Sequence, residues 1–327
     1  MKRVALILAL AALATVPLWI TNSYYVNVTT QILISAIFAL GLNVLVGYGG
    51  LVSLGHAGLF GFTCYACGWL INAGVGQLPS AIAAILLTVA LAGVFAALSL
   101  RATGITFLMI TLALGQIMWG IAYRWISVTG GDNGLSVSAR PAPFGLSLED
   151  PVPFYYATLI AFLVVVVAMY AFVHSPLGAS LRATRDQPRR MTTLGYHVWM
   201  IRFLAFLVSG LVVAIAGLFF FYYNKFVSPY ALSLTTSAET LLMVIAGGTG
   251  TLLGPIVGAA LVVIVKYVVS AYVERWNMVL GAIFVAIVLF MPEGLVPGST
   301  RLVRRAYGYL RARRSRAKPV AQGEGGP

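Results

Sequence analysis

HSPLGASLRATRDQPRRMTTLGYHVWMIR, residues His174–Arg202, is a polar and basic island between two long apolar segments. Arg182, Arg185, Arg189, Arg190 and Arg202 fall within it, while the chain on either side is almost free of charge. Ser175-Pro176 has the form of a helix start: a serine oxygen can accept an orphan N–H, and proline at the first position has none to lose. The helix they open is predicted to run to Arg185 or Gln187, with Leu177 and Leu181, four apart, on one edge. Pro188 permits a second short helix, and Gly195 suits the left-handed residue that ends one. One or two short amphipathic helices between apolar runs read as a segment lying on a membrane face.

Composition agrees. Of 327 residues, 60% are hydrophobic and 9% charged, with a mean hydropathy of +0.95, against roughly 25% charged residues in soluble domains. Apolar runs near 20 residues long favour helices over barrel strands. The expected fold is an all-α polytopic membrane protein of about ten spans, near 4–21, 28–46, 54–74, 79–100, 103–124, 154–173, 203–223, 237–249, 255–273 and 277–296. Residues 1–300 are then the transmembrane domain, and 301–327 a basic cytoplasmic tail expected to be disordered. The first segment, Lys2-Arg3 followed by Val4–Ile20, has the shape of a signal peptide and equally of a retained first span. We expect the retained span.

Ten spans starting inside place both termini in the cytoplasm. Lys2, Arg3, Arg101, the island arginines and the basic cluster Arg301–Lys318 then face inward, while Arg124, Arg140, Lys225 and Arg275 face outward. That asymmetry follows the positive-inside bias. It also accounts for the net charge of +13 without a nucleic-acid partner, because the charge clusters beside spans. The alternative is a solvated loop anchored to anionic lipid, which would not need the capped helical pattern; that pattern favours docking of a partner.

Two glycine-rich breaks stand at the inner ends of spans. The first runs from Gly47 through Gly49, Gly50, Ser53, Gly55 and His56 to Gly58. The second contains Gly247, Gly248, Gly250, Gly254 and Pro255. Gly47 and Gly50 match Gly247 and Gly250, and Leu54-Gly55 matches Leu253-Gly254 after a one-residue gap, so a weak parallel internal repeat is expected. Transporters place substrate pathways where such repeats meet, although glycine also serves close helix packing. Asn43, Ser53 and His56 are candidates either for polar pathway lining or for helix-to-helix hydrogen bonds. Residues 125–153 make the longest external loop, whose Thr129-Gly130-Gly131-Asp132 turn is a candidate docking site for an external partner or a plain connector.

The chain lacks the parts of an enzyme. There is no Gly-Lys dipeptide and hence no phosphate-binding loop for ATP. His56, His174 and His197 have no metal-ligand spacing, and no nucleophile comes with a base and an orienting group. Cys64 and Cys67 sit in an apolar helical run, as small packing residues. Glu239 and Lys266 are the ionisable residues within spans, and both read as structural or interfacial rather than as ion-coupling groups. With no internal energy source visible, the island reads as a lever through which a separate protein drives the rest. An ion-coupled secondary transporter or channel is the competing class.

Several ordered motifs carry a family resemblance. They are Gly41-Leu42-Asn43 with Gly47–Gly58, Thr129-Gly130-Gly131, Leu181-Arg182-Ala183 through Leu194-Gly195, Gly247–Pro255, and Met291-Pro292-Glu293-Gly294-Leu295. Together, from about residue 30 to about 297, they resemble the permease subunits of branched-chain amino acid ABC importers, the LivM/LivH type and the LivM branch best. The resemblance implies a second, LivH-type permease, two cytoplasmic ATPase subunits that bind ATP and Mg, and a periplasmic substrate-binding protein. This chain itself then binds no cofactor. The resemblance also implies a bacterial inner-membrane location and an ATPase-coupling loop at Leu181, Arg182, Ala183, Arg185, Leu194 and Gly195. Family substrates include urea, short amides and aromatic acids besides branched-chain amino acids. Pro188-Arg189-Arg190 departs from the family pattern, where relatives tend to carry acidic and alanine residues.

Overall fold

The computed structural model describes residues 22–137, 140, 148–272, 276–291 and 294–298, together with position 17. The first expected span apart from position 17, the tail 301–327, Pro141, Pro143, Arg275 and Pro292-Glu293 lie outside the described residues. Within them the chain is helical: α1 Ser23–Asn43, α2 His56–Asn72, α3 Gln77–Ser99, α4 Ile105–Arg124, α5 Pro151–His174, α6 Pro176–Asp186, α7 Pro188–Thr193, α8 Val198–Asn224, α9 Leu234–Gly247, α10 Gly254–Ser270 and α11 Trp276–Phe290. Five of these, α1 with its continuation to Tyr48, α3, α4, α5 and α8, are long and apolar enough to cross a membrane. This is an all-α polytopic membrane protein.

Helix α1 is the centre. Its apolar stretch is 83% buried, against 22% for α4, so α1 is surrounded by protein while α4 turns most of its surface outward. A helix apolar on every side has to be covered on every side, and α5, α8, α9 and α10 do this for α1. Small residues let the backbones approach: Ala36, Ala39 and Gly41 on α1 face a bundle in which α8 contributes Ala205, Ser209, Ala214 and Ala216, all fully buried. Large apolar side chains such as Leu86, Met109 and Val167 point away from the bundle, on α3, α4 and α5.

The island forms as its local signals require. Ser175 Oγ accepts from Gly178 N–H at 3.2 Å, and Pro176 opens α6. Leu181 is fully buried and Leu177 half-buried, so the apolar edge faces the bundle. Helix α7 ends on Gly195 at φ +85°, with Gly195 N–H on Thr192 O and Tyr196 N–H on Met191 O, the paired bonds of a Schellman cap. Two helix starts differ from expectation: α1 begins at Ser23, not near 28, and α8 begins at Val198, not near 203, and takes in Arg202. The Arg202 guanidinium reaches the Thr184 carbonyl at 3.4 Å, so a charge in the first turn does not stop the helix.

The loop after α4 is more structured than turns alone predict. A helical turn Ile126–Thr129 leads through a 3-10 turn Gly131–Asn133 to a strand β1, Leu135–Ser136. That strand pairs antiparallel with β2, Phe226–Val227, with Leu135 opposite Val227.

Candidate functional site

The two glycine breaks meet. Helix α1 runs into a π-helical turn at Val44–Tyr48, a feature that often accompanies functional sites. The chain then turns through Gly50 at φ +66°. The second break joins α9 to α10 through Gly248 and Gly250, the latter at φ +73°, a backbone state that side chains with a Cβ rarely adopt. Thr251 Oγ1 donates to Gly248 O at 2.9 Å and accepts from Gly254 N–H at 3.0 Å, and Pro255 stands in the first turn of α10.

Asn43 holds the breaks together. Fully buried, it donates from Nδ2 to Thr251 O at 2.9 Å and accepts at Oδ1 from Gly250 N–H at 3.1 Å. These two bonds satisfy orphan backbone groups of a segment that has left its helix. Gly47 lies between: a Cβ there would overlap both the Asn43 amide and the Gly250 nitrogen. Helix α6 covers the junction. Arg185 Nη1 donates to Gly47 O, and the Arg185 stem lies over Gly50, where a Cβ would sit 2.8 Å from Arg185 Cγ.

The other half of the first break is held by a directed hydrogen-bond chain. Ser209 Oγ donates to Gly41 O at 2.7 Å, so its oxygen is left to accept from His56 Nε2–H at 3.0 Å. His56 Nδ1 is then the acceptor for Ser53 Oγ–H at 2.8 Å. The chain requires one neutral tautomer, with the proton on Nε2. Gly55 packs so closely that a Cβ would overlap Thr111 O, while Leu54 N–H finds Thr111 Oγ1 and Ala57 N–H finds Ser237 Oγ. Asn43, Ser53 and His56 therefore all have partners on other elements or within the break, and each is about 1% exposed or less.

The island candidates divide into two groups. Leu181 is buried, Ala183 half-buried, Arg185 reaches the Gly47 carbonyl at the end of the central helix, and Arg202, from α8, reaches the Thr184 carbonyl of α6. Arg182, Arg189, Arg190 and Leu194 are exposed. Pro188 occupies the first position of α7, so Pro188-Arg189-Arg190 starts a second surface helix and presents two free guanidinium groups.

In the loop after α4, Thr129 is an internal staple: its Oγ1 donates to the Ala122 and Trp125 carbonyls and accepts from Gly131 N–H. Gly130 and Gly131 take left-handed conformations and Asp132 is exposed. Arg140, which the sequence marks only as an outward charge, stitches this loop to α8. Its Nε donates to Tyr222 O at 3.0 Å, Nη2 to Tyr223 O at 2.9 Å and Nη1 to Glu149 O at 3.0 Å, with the guanidinium 4.7 Å over the Phe154 ring. Beside it Lys225 pairs with Glu149 Oε2 at 2.5 Å, and this bond holds the exposed Glu149 carboxyl below its usual range.

Cys64 and Cys67 are buried free thiols, the first donating to Phe60 O and Gly217 O. No cluster of three metal-ligating side chains occurs among the described residues.

Known proteins give the geometry a context. The family described as branched-chain amino acid transport system / permease component matches residues 24–288. The high-affinity branched-chain amino acid transport system permease proteins LivM of Salmonella typhimurium and of Escherichia coli K12 are each 28% identical over 322 residues, covering 90% of this chain and 75% of theirs. The autoinducer 2 import system permease protein LsrC of Escherichia coli O9:H4 is 27% identical over 287 residues, covering 84% of this chain and 80% of its own length. The family match spans the bundle from α1 into α11, both glycine breaks and the island included. The chain therefore belongs to the branched-chain amino acid transport permease family, as a non-catalytic transmembrane component.

Proposed function

We propose that the chain is one permease subunit of a binding-protein-dependent ABC importer that moves branched-chain amino acids, or a related small amphipathic solute, across the inner membrane. It works with a second, LivH-type permease, two cytoplasmic ATPase subunits that supply ATP and Mg chemistry, and a periplasmic binding protein. Ten spans with both termini cytoplasmic, built as two weakly repeated halves, put the island and the basic tail on the inner face against the ATPases and anionic lipid. The loop carrying Thr129, Gly130, Gly131 and Asp132 then faces the binding protein.

The observation that carries this reading is the bond from Arg185 to Gly47 O. A surface helix with exposed guanidinium groups on its outer side grips, from its inner side, the point where two helix breaks meet. ATPase closure pulls on Arg182, Arg189, Arg190 and Leu194. Helix α6 passes that motion to Gly47 and Gly50, and Asn43 passes it on to Gly250 and Thr251. Opening of this junction lets solute through between the repeats, and Asn43, Ser53 and His56 exchange their internal partners for the solute or water on that route.

The test is Arg182→Glu combined with Arg185→Glu in the assembled complex. Loss of substrate-stimulated ATP hydrolysis and of uptake together is expected; survival of both unchanged overturns the coupling role. The Glu239–Lys266 ion pair within the bundle favours a second reading, ion-coupled transport without nucleotide. Uptake that persists without the ATPases and collapses with the ion gradient would establish that reading instead.

A further inference from the structure

Between α2, α3 and α4, toward the end of the bundle that carries β1 and β2, lies a cavity of about 240 Å3. Its walls are apolar: Phe62, Ala66 and Leu70 from α2, Leu87 from α3, Met118 from α4, and Leu232 from the turn before α9. From Phe62 to Trp69 the lining follows about 10 Å of helix. Water gains little in such a space, and apolar cavities stay dry. Leu87 and Ile121 line it and are also exposed, so it opens on the face that α3 and α4 turn away from the bundle. Trp69 and Trp125 belong to the lining and are exposed too, and tryptophan favours the depth of the membrane–water boundary.

Two polar groups here have no partner among the described residues. Tyr65 lines the cavity and is 6% exposed, and its hydroxyl is buried without a hydrogen bond. The Asp132 carboxylate acts on that hydroxyl only through space. Phenylalanine would fill the same volume without the penalty of an unmet hydroxyl, so packing does not explain the tyrosine. Arg124, at the end of α4, is exposed and forms no ion pair. It lines a shallow depression with Ile117 and Gly120, and that depression shares Ile121 and Trp125 with the cavity. At Gly120 a Cβ would meet nothing within 4 Å, so the surface is notched there. A free donor in a dry cavity, with a free cation at its mouth, suits an amphiphile with a negative head.

We propose that the cavity and its notch hold a phospholipid of net negative charge. One acyl chain enters between α2 and α4, the ester carbonyl accepts from the Tyr65 hydroxyl, and the phosphate rests on Arg124. The acceptor at Tyr65 has to be neutral, because a phosphate there would meet the field of Asp132; an ester carbonyl is neutral. Val128 and Thr129 also line the cavity, so the lipid packs under the turn that carries Asp132. Binding needs only the bilayer, neither solute nor nucleotide, and so stands apart from the importer reading.

The test is photolabelling of the full chain in phosphatidylcholine nanodiscs that hold a trace of phosphatidylglycerol with a diazirine midway along one acyl chain. Peptide mapping should place the label on residues 62–70 and 118–125, about tenfold more strongly than an equal trace of diazirine phosphatidylcholine does. Arg124→Gln, a surface change, should bring the two probes level. Tyr65→Phe should lower labelling by phosphatidylglycerol roughly three- to tenfold. Gly120→Leu, which fills the notch without a clash, should lower it as well. Label spread evenly over all outward-facing helices overturns the proposal, as does equal labelling of the wild type by both probes. Unchanged labelling in all three variants overturns it too. Label that is strong on the chain alone but vanishes in the assembled complex would show that a protein subunit covers this face, and the proposal falls.

Discussion

Arg185 donates from Nη1 to the main-chain carbonyl of Gly47, so a surface helix holds the π-turn where the central helix breaks. A hydrogen bond from a charged donor contributes about 1.5–3 kcal/mol. Arg185→Ala should therefore lower amide-exchange protection in residues 44–52 roughly ten- to a hundredfold. Arg182→Ala, which removes an exposed neighbour on the same helix, should leave that protection unchanged. Equal exchange in the two variants would show that Arg185 does not hold the turn.

The fit at the junction leaves no room for a methyl group. Gly47→Ala should destabilise by about 1–3 kcal/mol, read as a lowered thermal midpoint, because the new Cβ meets the Asn43 amide and Gly250 nitrogen. Asn43→Asp keeps the acceptor for Gly250 N–H but turns the donor to Thr251 O into a second acceptor. It should cost more than Asn43→Ser, a difference that thermal unfolding at neutral pH can resolve.

Removal of the Ser209 hydroxyl leaves the buried His56 Nε2–H without its acceptor. Ser209→Ala should cost about 1–3 kcal/mol, and adding Ser53→Ala should cost less than the two single losses summed, because one chain of bonds is broken twice. Full additivity in a thermal double-mutant cycle would show that the chain does not act as a unit.

Arg140 meets four carbonyls with a rigid fork. Arg140→Lys keeps the charge and loses the geometry, so it should destabilise nearly as much as Arg140→Met, by about 1.5–3 kcal/mol. Proteolysis within residues 125–150 should accelerate in both variants.

The Lys225–Glu149 pair makes a prediction about acid. Lys225 holds the folded-state Glu149 carboxyl below the ordinary 4.5, so its contribution is complete above that value. It is lost as pH falls below 4.5 and through the depressed folded value. Lys225→Gln should flatten this part of the acid side of the stability profile. A slope identical to the wild type would assign the acid dependence to other carboxylates. The pair is exposed, so the effect is small and shrinks in high salt.

Local signals were the readable ones. Ser175, Pro176, Pro188 and Gly195 predict α6 and α7 because capping involves residues three or four positions apart. Apolar runs locate the helices, and glycines locate the breaks. What Asn43 does was not readable, since its partners Gly250 and Thr251 lie more than 200 positions away and are backbone groups that carry no residue signature. Arg140 was missed for the same reason: the carbonyls it binds belong to Tyr222 and Tyr223. Glu239 and Lys266 were visible singly, but their pairing depends on how α9 packs against α10. The start of α8 was misjudged because hydropathy counts Arg202 as a full charge, whereas its long side chain reaches across to the Thr184 carbonyl of α6.

The bond between Asn43 and Thr251 spans 208 positions, and that separation imposes an order on biogenesis. Asn43 leaves the ribosome long before the segment that satisfies it exists. Until α9, its glycine turn and the start of α10 are made, α1 carries an unmet amide at the break. A chain stalled or truncated after α6 but before Gly250 presents this amide even though Arg185 already covers the carbonyl of the π-turn. Quality-control machinery that detects unpaired polar groups in membrane segments would therefore have a marker of incompleteness here, one erased when the last third of the chain closes over it.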